Sequence, residues 1–456
     1  MKYSKYIINA LVICCVLLSG CDKYLNVQPK GYTLLKTAND YDLWLNDVSL
    51  DYGIGTLGSY LDIFSDYTDY PTITVPPSAV GELMFTWAPQ FSTDLSISPP
   101  LWGQHYANIN KYNTVLLGID KATNATDEQK RSLKAEALLG RAFEYFYLVN
   151  EYGNEYDSST ADKDLGVPFV TSNDVSQKTP ARSTIQEIYT QIISDLNAAI
   201  PDLPVDNSNN RFRGSTAAAY SVLARIYFYA GNYTDARKNA ELALEKSSAT
   251  MLDFNGAPPT TANISIQPDV IYGRMVIGYN TAALDFMRSF ATNDLRVSEL
   301  YYSTDAYTYA IRGATLYYPA GRTPSLQYVN TGTSVQEMKL IIAEAAARSN
   351  DLSTALQQLD DIRRDRFSAS SYEPYQSDNK DSVLENVLVE RKHELAFSGL
   401  RWFDMRRLDK EGRMDTVYRY DAQENVIATL PPHSTKYTLQ IPVQVLQFNP
   451  GMQQNP

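Results

Sequence analysis

Apolar side chains recur along much of this chain at spacings of three and four, the period of a helix with one buried face. Over 101–119, Trp102, Tyr106, Ile109, Asn113 and Leu116 fall on one side, and over 133–151 Leu138, Ala142, Tyr145, Phe146 and Val149 do the same. A stretch rich in Asp, Ser and Pro follows from Tyr152 to Arg182 and reads as a loop. The helical period returns over 184–200 with Ile185, Ile188, Ile192, Leu196 and Ala199, and Pro201 and Pro204 end it.

Two later segments repeat one another at a constant offset. Leu223, Ala224, Tyr227, Ala236, Ala240 and Ala243 recur as Ile342, Ala343, Ala346, Ala355, Leu359 and Ile362. The spacing is that of a tetratricopeptide-type helical pair, in which small residues on the second helix let two axes approach closely. Gly231-Asn232 and Asn350-Asp351 occupy the turns, where a left-handed residue is tolerated. The helices at 133–151 and 184–200 offer a third, interrupted unit. Residues 250–333 break the pattern: Pro, Gly, Asn and Thr occur throughout, with Tyr301, Tyr302, Tyr307, Tyr309, Tyr317, Tyr318 and Tyr328 among them. The expected fold is therefore mainly α, a tetratricopeptide-type scaffold over about 101–246 and 334–408 carrying a loop-rich insertion at about 250–333.

Composition narrows the chemistry. The 456 residues carry a net charge of −12, the wrong sign for a protein that binds a phosphate backbone, so nucleic acid is not an expected partner. Only three His and three Cys are present, which leaves little material for thiol or transition-metal chemistry. All three cysteines, Cys14, Cys15 and Cys21, stand near the start. Lys2 and Lys5 precede an apolar run from Ile7 to Leu18, long enough for the core of a signal peptide and too short to span a bilayer. Leu18-Ser19-Gly20-Cys21 then resembles a bacterial lipobox, whose cysteine is acylated. The expected organisation is a lipoprotein signal peptide over 1–20, a tether over 21–35 after lipidated Cys21, and a single domain over 36–456.

Motifs for catalysis fail on context. Gly53-Ile54-Gly55-Thr56-Leu57-Gly58 fits the dinucleotide fingerprint in letters, but no strand leads into it. His393-Glu394 lacks the second His of a zinc protease helix, and His105 and His433 have no evident nucleophile. Asp206 to Gly214 misses the glycine and terminal glutamate of a calcium loop, and no Walker-type Gly-Lys-Ser/Thr occurs. We read the chain as non-enzymatic, with no cofactor and no metal site.

Cys21-Asp22-Lys23-Tyr24 with the following LNVQPKG, the stretch ERKHELAFSGLRWFDMRRL from Glu390 to Leu408, and the ending YTLQIPVQVLQFNPGMQQNP together resemble the SusD/RagB family of surface lipoproteins. The Trp102 helix, Asn293-Asp294-Leu295-Arg296 and the tetratricopeptide units match in order as well. The resemblance implies an outer-membrane lipoprotein, facing the cell exterior, that captures a nutrient and acts as a lid on a TonB-dependent SusC-like transporter. The implied nutrient is a glycan; the alternatives are the same lid role for peptides, or a tetratricopeptide scaffold that binds only proteins. Within the family motif, Arg401, Trp402 and Asp404 suit an ion pair beside a buried ring that locks helices together.

A sugar ring has an apolar C–H face and a polar rim, so its site needs flat aromatic side chains with hydrogen-bonding neighbours. Tyr67, Tyr70, Trp87, Tyr301 and Tyr302 are the candidates, because they cluster where helical periodicity is poor. Loops 60–90 and 280–320 are expected to converge on one face, with at least one of these rings exposed. The lipobox reading predicts that a Cys21→Ala variant leaves the membrane fraction and incorporates no labelled fatty acid; retention in the pellet after a carbonate wash would contradict it.

Overall fold

The computed structural model describes residues 35–52, 60–258, 263–277, 280–303, 315–317 and 328–456. Cys21, the signal and nearly all of the tether, the 53–58 glycine segment, Tyr307 and Tyr309 lie outside the described residues.

Three short helices come first, α1 (Ala38–Leu45), α2 (Tyr60–Ile63) and α3 (Val80–Phe85). The periodic segments then form α4 (Trp102–Gly118), α5 (Asp127–Tyr152) and α6 (Ile185–Ala199), with a small antiparallel pair, β1 (Leu165–Pro168) and β2 (Arg182–Thr184), before α6. Helix α5 starts earlier than its apolar pattern suggests because Thr126 and Gln129 form a reciprocal cap: Thr126 Oγ1 accepts from Gln129 N at 3.1 Å and Gln129 Oε1 accepts from Thr126 N at 2.9 Å. Thr184 and Glu187 cap α6 in the same way.

The two repeated segments are α7 (Thr216–Tyr229) with α8 (Tyr233–Lys246), and, after the insertion, α11 (Val335–Arg348) with α12 (Leu352–Arg366). Ala236, Ala240 and Ala243 on α8 are buried, as are their counterparts Ala355, Leu359 and Ile362 on α12. Both turns use a left-handed residue at the same place, Gly231 at φ +72° and Asn350 at φ +66°. The units share one core: α8 packs against α11, and α4, α5, α6 and α7 pack each on the next.

Between the repeats, the expected loops form small antiparallel sheets. The pairs are β3 (Val270–Tyr272) with β9 (Thr333–Ser334), β4 (Met275–Ile277) with β8 (Tyr328–Asn330), and β5 (Asn280–Ala282) and β6 (Tyr301–Ser303) on either side of β7 (Thr315–Tyr317); α9 (Leu284–Arg288) and α10 (Arg296–Leu300) intervene. Strands this short carry too little alternation to read from sequence. The chain ends with α13 (Lys380–Glu394), α14 (Arg401–Lys410), a hairpin of β10 (Val417–Tyr420) and β11 (Val426–Leu430), and α15 (Val443–Phe448). Residues Thr37–Pro456 form one compact unit.

Buried charge joins these parts. Arg225 of α7 pairs with Glu337 of α11 at 2.7 Å, both out of solvent. Asp404 of α14 accepts from Arg391 of α13 at 2.9 Å and from Arg407 at 2.8 Å, and Arg407 reaches Glu344 of α11 at 2.5 Å. Trp402 is fully buried between Phe64 and Tyr437, with centroids 5.2 and 5.3 Å away. The final residues are tied down by Asn455, whose Oδ1 accepts from Arg182 and whose Nδ2 donates to the carbonyls of Tyr152 and Leu439, each at 2.7 Å. Asp404→Ala would leave the buried Arg391 guanidinium without a carboxylate while Arg407 keeps Glu344, so it should cost about 3–5 kcal/mol of unfolding free energy. Urea unfolding measures this; a loss under about 1 kcal/mol, the scale of an exposed pair, would contradict the role assigned to Asp404.

Candidate ligand cleft

Segments 60–70 and 280–301 do come together. Thr68 bridges Ala282, Asp69 N donates to Thr281 O at 2.9 Å, and Ala283 N donates to Tyr67 O at 2.7 Å. Beside this junction lies a cleft of about 770 Å³ whose walls are residues 66–69, the start of α9, one face of α13 and the β10–β11 hairpin.

Most of the rings expected to face a ligand are instead part of the core. Tyr67 is fully buried, with its hydroxyl donating to Asp62 Oδ1 at 2.5 Å and accepting from Phe397 N at 2.9 Å. Burial, then the neighbouring Asp62 carboxylate, pushes that phenol well above its ordinary pKa. Trp87 is buried too, with its Nε1 donating to Phe64 O at 3.1 Å. Its ring face lies 4.2 Å from the Arg419 guanidinium, and Phe85 covers Arg419 at 4.1 Å. Arg419 in turn donates to the carbonyls of Phe85, Thr68, Ile63 and Ser65. Trp87 thus completes a cation–π sandwich that fixes the hairpin to the 63–68 segment. Tyr301 is buried among Phe286, Phe290 and Phe397. These three ligand-binding candidates are therefore core residues: segments of poor helical periodicity are still buried when they pack on one another. Tyr70 is half-buried, with its ring 5.7 Å from Phe85. The side chain of Tyr302 lies outside the described residues.

Besides the buried Phe85, the rings that line the cleft are Tyr418 and Tyr420. They sit on one face of β10, centroids 6.4 Å apart and nearly parallel at 29°, while Arg419 between them points to the interior. Tyr418 is 49% exposed. The signal was available in Val417-Tyr418-Arg419-Tyr420, an alternating run before the polar turn Asp421-Ala422-Gln423-Glu424-Asn425.

Polar groups surround this aromatic platform. At the floor, Asp66 accepts from Arg401 at 2.8 Å and from Lys392 at 2.9 Å. Burial alone would raise the Asp66 carboxyl, but Arg401 and Lys392 outweigh it and hold it well below the usual carboxylate range. Burial, with the like charge of Arg401, lowers the Lys392 ammonium against the pull of Asp66. Arg288, Arg413, Asp285 and Glu424 complete the rim. The arrangement offers flat apolar faces beside donors and acceptors, which suits recognition by stacking and hydrogen bonding. Among the described residues no group of three or more His, Cys, Asp or Glu could hold a metal ion. His105 is buried between Glu144 at 2.6 Å and Glu151 at 3.3 Å, and His393 Nε2 meets Ser289 Oγ at 2.7 Å.

The helical repeats and the hairpin-walled cleft define a tetratricopeptide-type scaffold. A family model described as "Starch-binding associating with outer membrane" matches residues 61–228, and the model of the SusD family matches residues 336–456. The chain belongs to the SusD/RagB family. It is 25% identical over 399 residues to SusD-like protein P2 of Formosa agariphila, covering 72% of this chain and 76% of that protein. Its fold is shared by a SusD superfamily protein of Bacteroides thetaiotaomicron, with TM-score 0.74 and 19% identity over 92% of this chain and all of the other. A putative sugar binding protein of Bacteroides vulgatus superposes with TM-score 0.73 and 24% identity, covering 93% of this chain and 99% of that one.

Because the carboxyl of Asp66 is depressed in the folded protein, its stabilisation is fully present above the unfolded pKa of about 3.9 and is lost as pH falls below it. Asp66→Asn should therefore be less stable than the parent at pH 7, and the gap should close towards pH 2. Chemical unfolding across that range checks this; a gap of constant size would contradict it.

Proposed function

We propose that this protein is a lipid-anchored nutrient receptor on the exterior of the outer membrane, binding a glycan in the Tyr418–Tyr420 cleft and delivering it to a TonB-dependent SusC-like transporter. The observation that carries the reading is the paired tyrosine platform in a cleft rimmed by guanidinium and carboxylate groups. Each ring can stack on the C–H face of a sugar while the charged rim meets its hydroxyls. Tyr70 is half-buried against Phe85 and stands outside the lining of the cleft.

Membership of an outer-membrane-associated family of binding proteins supports both the location and the absence of a catalytic role. No helix among the described residues is long and apolar enough to cross a membrane, so the acyl group on Cys21 is the attachment proposed here, and passage across the membrane is assigned to the partner barrel. The tetratricopeptide helices are the surface we assign to that barrel.

Calorimetric titration against a panel of neutral and acidic oligosaccharides, with a peptide library as a second arm, tests the ligand class. Tyr418→Ala and Tyr420→Ala should each lose about 1–3 kcal/mol of glycan binding, as for other stacked rings, with little change in melting temperature. Unaltered glycan affinity in both variants, or binding of peptides alone, would overturn the reading.

A further inference from the structure

A second cavity, smaller than the cleft and distinct from it, lies where β3, β8 and β9 meet α11 and the end of α13, with a volume of about 120 Å³. Three oxygen atoms in its lining residues have no hydrogen-bond donor among the described residues: Gln267 Oε1, Asp269 Oδ1 and Gln336 Oε1. Asp269 is only 7% exposed, and its other oxygen accepts from Gln336 Nε2 at 3.1 Å, which holds two of the three groups together. Two other carboxylates of the lining are neutralised by guanidinium groups. Glu337 is saturated by Arg225 at 2.7 Å, and Glu394 by Arg296 at 2.9 Å and Arg366 at 2.7 Å.

Buried acceptors left without donors are costly, and three around one space call for an occupant that accepts nothing and satisfies oxygen lone pairs. We propose that this cavity is a calcium-type cation site, with Asp269 Oδ1, Gln267 Oε1 and Gln336 Oε1 as protein ligands. The donor set is all hard oxygen, with neither imidazole nor thiolate, which argues against zinc, copper and iron. Magnesium demands a tight octahedron and sheds water reluctantly, whereas calcium tolerates irregular shells of six to eight oxygens. With a water molecule taking about 30 Å³, the space admits an ion and several waters to complete its shell. A single carboxylate places the affinity in the weak range of extracellular calcium modules, about 10⁻⁴–10⁻³ M. The cation would tie the segment just before β3, through Gln267 and Asp269, to the first turn of α11 through Gln336, and so brace the insertion against the second repeat.

Equilibrium dialysis of the full-length protein in detergent, against calcium in chelator-treated buffer, tests this directly. The expected result is about one calcium per chain, half-saturating at about 10⁻⁴–10⁻³ M, with a rise in melting temperature over the same concentrations. Asp269→Asn should abolish both. Gln267→Glu adds a second charged ligand and should bind calcium more tightly than the parent, which keeps the test decisive if the first variant fails to fold. No bound calcium in the parent, retention of calcium by Asp269→Asn, or no gain in affinity with Gln267→Glu would overturn the assignment. Calcium binding is independent of the glycan reading, so either can fail alone.

Discussion

The buried ion pairs around α13 and α14 hold this architecture in register. A guanidinium or carboxylate out of water is costly unless its partner and remaining hydrogen bonds are present, so each pair penalises any packing that separates its members. Arg391, Asp404, Arg407 and Glu344 form one continuous chain of such pairs from the C-terminal motif into the second repeat, and Tyr229 of the first repeat donates to Asp404 at 3.1 Å. The same motif reaches in the other direction, where Arg401 binds Asp66 in the N-terminal segment. One stretch of sequence therefore fixes both repeats and the floor of the cleft. The apolar repeats alone could slide on their alanine faces; the charges define a single arrangement.

The scaffold was legible because its elements are long and strongly periodic. Ala236, Ala240 and Ala243 on α8 recur at a constant offset as Ala355, Leu359 and Ile362 on α12 and mark the buried faces, and Gly231 and Asn350 mark equivalent turns, so the repeat is legible in the sequence. The Arg401-Trp402-Asp404 motif was legible as a structural lock, although Arg401 pairs with Asp66 from far away in sequence rather than with its neighbour Asp404, a partnership that residue types and spacing could not supply.

The aromatic residues were harder to read for a definite reason. Poor periodicity was taken to mean that a ring has no core face to occupy. Tyr67, Trp87 and Tyr301 are buried all the same: Tyr67 and Tyr301 join α9 and the turn after α13 in a small core of their own, and Trp87 belongs to the main core with Phe64 and Met84. Trp87 is buried by a cation, and nothing at Trp87 announces that Arg419 will thread between it and Phe85. Tyr418 and Tyr420, by contrast, sit on β10, whose alternation puts the arginine inside and the two rings on the opposite face, even though the register with β11 shifts between Arg419 and Tyr420.

We propose that ligand meets the protein at the Tyr418–Tyr420 face of the hairpin rather than at the buried rings. Hydroxyl-radical footprinting with and without a bound oligosaccharide distinguishes the two, because tyrosine and methionine side chains report solvent access one by one. The expected result is ligand-dependent protection of Tyr418, Tyr420 and the cleft-lining Met414, with Tyr67, Trp87 and Tyr301 unreactive in both states. Protection confined to other residues, with Tyr418 and Tyr420 equally reactive with and without ligand, would contradict it.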